Sequence, residues 1–338
     1  MPLYRNILKQ SFATIWRNKY LWFFGFFAAF IGSFLELELL FNKTDATFAQ
    51  RFLGRLQSWK ETGLFSGQAL SNLGNLFKTE PISMVIMLTV FLIVLVLLGF
   101  LLWLSIISQA GLVNNTAQIF QNSSKPKSKL GIQEGVESGA RSFWRVLGVN
   151  LVIKILLYII FLCLSFLIFY ITYQSGIGSG AGIINMFLFV IFIPVALILA
   201  FIAKYAVCYT VIKKNNFKDS VKNAFQLFGR NWLVSIEMAF ILFFISFLFS
   251  LAILIGSVIV TLPILLVLNI AVALSWPMFS FWVFIFGVIV VAIFIAVTGA
   301  ALSAFRITAW TNLFVKLNSS KGGVSKLLRL ADSFKAKK

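Results

Sequence analysis

Long apolar runs alternate along the chain with short basic, amphipathic stretches, and the clearest junction of the two lies between Asp219 and Val260. Val221, Phe225, Phe228 and Trp232 fall at i, i+4, i+7 and i+11, one stripe of a helix whose other face carries Lys218, Lys222 and Arg230. From Met238 to Phe305 there is no Lys, Arg, Asp or Glu. A helix needs only about 20 apolar residues to cross a hydrocarbon core, so a charge-free run of this length belongs in a bilayer.

The same pattern recurs. Leu8, Phe12, Ile15 and Trp16 form an apolar stripe beside Arg5, Lys9, Arg17 and Lys19, and the apolar run Leu21–Leu35 follows. Glu36 and Glu38 stand where a signal peptide would need small residues for cleavage, so this run reads as an uncleaved first span. Pro81 suits a helix N-terminus, and Ile82–Ile107 is a second span whose helix continues through Gln109, Asn114 and Asn115. Ile132, Val136, Ala140, Phe143 and Leu147 restore the stripe before a third span at about 146–173. A turn with Gly176, Gly178, Gly180 and Gly182 leads to a fourth span, Ile183–Ala203, with Pro194 as its kink. A fifth span at about 232–260 and a sixth at about 281–304 complete the set. Between them 261–280, interrupted by Pro263, Asn269 and Pro277, reads as an interfacial or partly re-entrant hairpin.

Asn42–Glu80 is the one long polar connection of balanced charge. Phe48, Phe52, Leu56 and Trp59 keep helical spacing, as do Phe65, Ala69, Leu73 and Phe77, which predicts two short amphipathic helices. They either cap the outer mouth of the bundle or anchor in the interface.

Composition agrees with this layout. Of 338 residues 60% are hydrophobic and 12% charged, against roughly a quarter charged in a soluble domain. The formal charge of +19 comes from 29 basic and 10 acidic residues, but the basic ones cluster between apolar runs. No nucleic-acid recognition fold accompanies them, so no nucleic-acid partner is expected. Twenty-three of the 29 fall on one side of the six-span scheme, five on the other and Lys154 inside a span. The positive-inside rule then puts both termini in the cytoplasm of a multi-pass protein of a prokaryotic plasma membrane. Cys163 and Cys208 lie in or beside apolar helices and read as packing residues. With no histidine, His-containing zinc sites, Ser-His-Asp triads and histidine acid-base chemistry are excluded. No cofactor is expected.

The predicted fold is therefore all-α: a polytopic bundle of about six spans in three hairpin repeats, each preceded by an amphipathic cytoplasmic surface helix. The repeat units run at about 1–120, 130–217 and 218–316, with a basic tail at 317–338. Trp16-Arg17-Asn18-Lys19-Tyr20-Leu21 compares with Phe228-Gly229-Arg230-Asn231-Trp232-Leu233, while the middle copy keeps only Phe143-Trp144-Arg145.

On the pattern of Ser220–Leu233, with Ala224, Phe228 and Asn231-Trp232, and on Lys204-Tyr205 closing the preceding span, the chain resembles a broad group of uncharacterised prokaryotic six-span membrane proteins. That group includes the membrane domain attached to some glycerophosphodiester phosphodiesterases. In those proteins catalysis would come from a separate soluble domain, which these residues do not contain. The resemblance thus implies membrane association without activity.

Three sets of residues stand out. Lys154 and Glu237 are the charges inside predicted spans, and a charge at that depth is costly enough to suggest either a buried ion pair between the third and fifth spans or a substrate path. Lys154 is also near enough to the span end to snorkel. Lys218, Lys222 and Arg230 form a candidate surface for lipid or a partner. Ala292, Ala296, Ala300 and Ala304 repeat every fourth residue as a helix-packing face, matched by Gly25, Ala29 and Gly32 in the first span. The expected function is that of a non-enzymatic scaffold or accessory subunit, binding anionic lipid headgroups or a membrane or cytoplasmic protein. The alternative is a transporter or channel for a small or lipophilic solute, which internal repeats and broken helices allow.

Overall fold

The structure is a computed structural model that describes residues 3–29, 81–121, 131–174 and 179–319. Among them every regular element is a helix: α1 (Leu3–Arg17), α2 (Tyr20–Ala29), α3 (Pro81–Gln121), α4 (Ile132–Gln174), α5 (Ser179–Ile212), α6 (Phe217–Arg230), α7 (Trp232–Ala273) and α8 (Pro277–Asn318). Five of them, α3, α4, α5, α7 and α8, are long and apolar enough to cross a membrane. The protein is an integral membrane protein. The polar connection 42–80 with its two expected amphipathic helices, residues 30–35 of the Leu21–Leu35 run, Lys125 to Lys129 and the basic tail beyond Ser319 lie outside the described residues.

Helix lengths depart from the sequence reading. α7 has 42 residues and passes through Pro263 without a break, and α8 has 42 and starts at Pro277. The segment 261–280 is thus not a separate, broken element. It is the end of one helix, the three-residue turn Leu274–Trp276 and the start of the next. Proline removes one backbone hydrogen bond, but in an apolar setting helix is the form that satisfies the remaining backbone groups, so α7 continues. The turn closes because Ser275 takes a left-handed φ of 56°. The Ser275 amide then donates to the Val272 carbonyl and the Trp276 amide to that of Ala271, each at 3.0 Å. These are the two bonds of a Schellman motif. Likewise, α5 begins at Ser179, so Gly180 and Gly182 belong to its first turns rather than to the connection.

The chain divides into two compact units, one comprising Met1–Gly32, Leu104–Val149 and Phe201–Lys338, the other Ser33–Trp103 and Asn150–Ala200. The first holds most of the core, with Ile7, Phe24, Ile107, Leu112, Met238 and Leu313 among its fully buried side chains. Its helices meet through small residues. A Cβ on Gly25 of α2 would collide with the Ala300 carbonyl and with Ala304 of α8, and one on Gly139 of α4 would collide with the Ile107 carbonyl of α3. Such close approach maximises dispersion contacts, the main drive for helix association where the solvent is itself apolar. Side chains then tie the contacts: Ser105 Oγ donates to the Phe27 carbonyl at 2.6 Å, and Asn115 Nδ2 to the Gly131 carbonyl at 3.2 Å.

In the second unit, the α3 residues from Val85 to Phe100 are exposed on every side, and α4 and α5 meet where the Phe161 and Phe192 rings lie 5.8 Å apart. An apolar helix surface bare of protein contacts is stable in hydrocarbon and not in water.

Candidate functional site

The basic, amphipathic stretches are helical as expected, but their buried faces are not the aromatic stripes. On α6 the buried residues are Ser220, Ala224, Leu227 and Phe228, whereas Phe225 is 62% exposed and Trp232, opening α7, 53% exposed. On α1 the buried set is Tyr4, Ile7, Ser11, Thr14 and Ile15, leaving Phe12 and Trp16 stacked on each other, 5.8 Å between centroids, on the exposed side. At the start of α4 the face that packs is Gly135, Gly139, Ser142 and Val146, with Trp144 78% exposed. Of the four-residue stripe predicted on α6, only Phe228 is buried. Small and hydroxyl residues pack because they admit close backbone approach, and the aromatic edge is left facing outward, as suits an interface with lipid. The sequence signal for the buried face was present as the spacing of Ser, Gly and Ala, which hydrophobicity alone does not weigh.

The junction between a basic amphipathic helix and the apolar helix that follows it has the same construction after α1 and after α6. Asn18 follows α1 and donates both its amide N–H, at 3.1 Å, and its side-chain Nδ2, at 2.8 Å, to the Thr14 carbonyl. Asn231 follows α6 and does the same to the Leu227 carbonyl, at 3.1 and 3.2 Å. Each caps one helix and redirects the chain into the next. The correspondence is therefore Arg17-Asn18 with Arg230-Asn231, one residue away from the alignment that the sequence alone suggests, with Lys19 as an additional residue. In the middle stretch Val146 follows Trp144-Arg145 and cannot make this side-chain bond. There the surface segment and the span form one uninterrupted helix, α4, instead of the two elements expected.

Lys218, Lys222 and Arg230 all lie exposed on α6 and, among the described residues, none makes an ion pair or hydrogen bond. The corresponding cations of α4 are engaged: Arg141 pairs with Glu137 at 2.6 Å, and Arg145 donates to the Lys214 carbonyl at 3.0 Å. The second contact holds Lys214 at a left-handed φ of 56° just after α5 ends. Beneath α6 an aromatic cluster joins it to α5 and α8. Phe201 stacks on Phe228 and touches Trp310, and Lys204 Nζ sits 5.1 Å from the Trp310 ring centroid. Buried Tyr205 shares a 2.7 Å hydrogen bond with Ser235 of α7. Asn312 of α8 reaches the Ile7 carbonyl and Ser11 of α1 at 3.3 and 3.4 Å.

The remaining predicted residues are distributed as follows. Glu237, half-buried on α7, accepts a hydrogen bond from the Tyr4 hydroxyl within the first unit, and Lys154, half-buried on α4, falls in the second. Ala300 and Ala304 are buried against Gly25, Ala296 is half-buried and Ala292 exposed, so only the C-terminal half of that face is packed within the chain. Among the described residues no group of three or more His, Cys, Asp and Glu side chains converges as a metal site would require.

Comparison with family models, with curated proteins and with solved structures finds no match.

Proposed function

We propose that this membrane protein is a non-enzymatic scaffold or accessory subunit that acts through the outward faces of α1, α6 and the first turns of α4 on anionic lipid or a protein partner. The observation that carries the reading is the exposed face of α6, where the uncommitted cations Lys218, Lys222 and Arg230 accompany the exposed ring of Phe225. A basic residue at an anionic leaflet contributes about 1 kcal/mol, and aromatic side chains anchor at headgroup depth. The reading includes six spans, the sixth supplied by α2 and the residues after it, both termini in the cytoplasm, and a threefold hairpin repeat. The like-built junctions at Asn18 and Asn231 support that repeat, and membership of the six-span group named above is part of the same proposal.

The test is joint neutralisation of Lys218, Lys222 and Arg230. The variant is expected to insert normally, since the spans are untouched, yet to lose anionic lipid or its protein partner on purification from native membranes. Unchanged lipid and partner recovery overturns the scaffold reading. The transporter reading draws on Pro194 and Pro263, each inside a long apolar helix where it frees a backbone carbonyl. Solute flux across reconstituted vesicles that survives the triple change would replace the first reading with this one.

A further inference from the structure

The last turns of three helices converge on one cavity of about 320 Å³ within the first unit. Tyr209 comes from the end of α5; Asn223, Gln226, Leu227 and Arg230 come from α6, with Asn231 as its cap; Leu317 and Asn318 come from the end of α8, followed by Ser319. Two opposite electrostatic features meet there. Among the described residues, Arg230 is the single charged side chain lining the cavity. Helix C-termini carry partial negative charge on carbonyls without partners in the helix, which at the end of α8 are those of Leu317 and Asn318. The Val315 and Lys316 carbonyls are already taken by the Ser319 amide at 3.0 Å and its hydroxyl at 2.9 Å.

Polar donors are available as well. Among the described residues the side chains of Arg230, Asn223, Gln226 and Asn318 make no intramolecular hydrogen bond, while that of Asn231 is spent on its cap. A simple anion would gain from Arg230 but meet the carbonyl end of α8. A simple cation would gain from that end but meet the guanidinium. A ligand that bears both charges a few ångströms apart satisfies the two at once.

We propose that this cavity binds a zwitterionic phosphate–primary ammonium group, the chemistry of an ethanolamine phosphodiester. The phosphate pairs with the Arg230 guanidinium, whose fork of donors matches phosphate oxygens, and with the amides of Asn223 and Gln226. The ammonium, with three N–H donors, bonds the carbonyls at the end of α8. Exposed Phe225 and Trp232 flank this stretch of α6 and α7, which puts the cavity at the level where lipid headgroups lie. The inference rests on the reading of α6 as a lipid-facing helix, and it adds a selectivity that a general basic surface lacks.

The experiment is native mass spectrometry of the detergent-purified full chain, titrated with phosphatidylethanolamine, phosphatidylcholine and phosphatidylglycerol of identical acyl chains. Phosphatidylethanolamine is expected to bind at least tenfold more tightly than phosphatidylcholine, whose methylated nitrogen has no N–H. R230A and N223L should each weaken it about tenfold, and R230K severalfold, while K213A, exposed and outside both the cavity and the basic face of α6, changes it less than twofold. Melting of intrinsic fluorescence checks that each variant is folded; should R230A fail to fold, R230K and N223L decide. Competition by soluble glycerophosphoethanolamine would identify the free diester as an equally good source, and binding of the lipid alone would identify the membrane; either supports the site. Equal binding of phosphatidylcholine, or indifference to both R230K and N223L, overturns it. Stronger binding of phosphatidylglycerol that falls equally in K222A and R230A would also overturn the cavity while leaving the basic-surface reading intact.

Discussion

The hydroxyl of Tyr4, in the first turn of α1, donates to the carboxylate of Glu237 in α7, 233 residues away. The short helix α1 is thereby fastened to a long apolar one by a bond between a neutral donor and a carboxylate. Such bonds contribute about 1.5–3 kcal/mol, because the buried partner left behind loses its solvation. Tyr4→Phe should lower the melting temperature in detergent, and Glu237→Gln should do so less after Tyr4→Phe than before it. Additive losses would show that the two groups act independently.

Lys154 and Glu237 provide a second cycle. If the two residues pair, either neutral replacement alone leaves an uncompensated charge and lowers stability, and the double replacement recovers part of the loss. Strict additivity of the melting shifts would separate them.

Glycine replacements should have opposite effects at two positions. Gly25→Val inserts a side chain against the Ala300 carbonyl and Ala304 and should cost several kcal/mol, seen as loss of monodisperse protein on size exclusion. Gly229→Ala in the last turn of α6 meets nothing within 4 Å and should stabilise by about 0.5–1 kcal/mol through helix propensity. A neutral Gly25→Val would mean that α2 and α8 do not pack as described.

At the α7–α8 turn, Ser275 pays a left-handed conformation that glycine adopts freely. Ser275→Gly should raise stability by about 1 kcal/mol, while Ser275→Val should lower it, read by thermal melting in the same detergent.

Topology reporters placed after Lys127, Lys214 or Lys338 should report cytoplasm, and those after Gly63 or Gly180 the opposite side. An external signal at Lys214 would refute the six-span arrangement.

What was legible in the sequence follows from which forces leave a one-dimensional trace. Five of the six expected spans and their order were readable, because exclusion of charge over twenty or more residues is a strong and local signal, and so was the helical form of the basic stretches. The continuity of α7 through Pro263 was not, since a proline that ends a helix in water need not do so in hydrocarbon. The faces that pack against neighbouring helices were not legible for a related reason. Periodicity locates the most apolar edge, which is the packed edge in a water-soluble protein, whereas here Ser220, Ala224, Gly135 and Gly139 pack and Phe225 and Trp144 do not. The role of Asn18 and Asn231 as caps also had to await the backbone, because an asparagine beside a basic aromatic boundary has many possible positions. The cavity at Arg230 depends on three helix ends from distant parts of the chain, and no single stretch encodes it.

The charge-free part of α7, from Met238 to Ala273, has a consequence for the membrane itself. At about 1.5 Å per residue it extends roughly 54 Å, against a hydrocarbon thickness of about 30 Å. No charged residue within this stretch fixes where along the rod the far lipid boundary falls. Its inclination is therefore set by the host bilayer: acyl chains lengthened by a few carbons should bring the α7–α8 hairpin nearer the membrane normal, and shortened ones should lay it over.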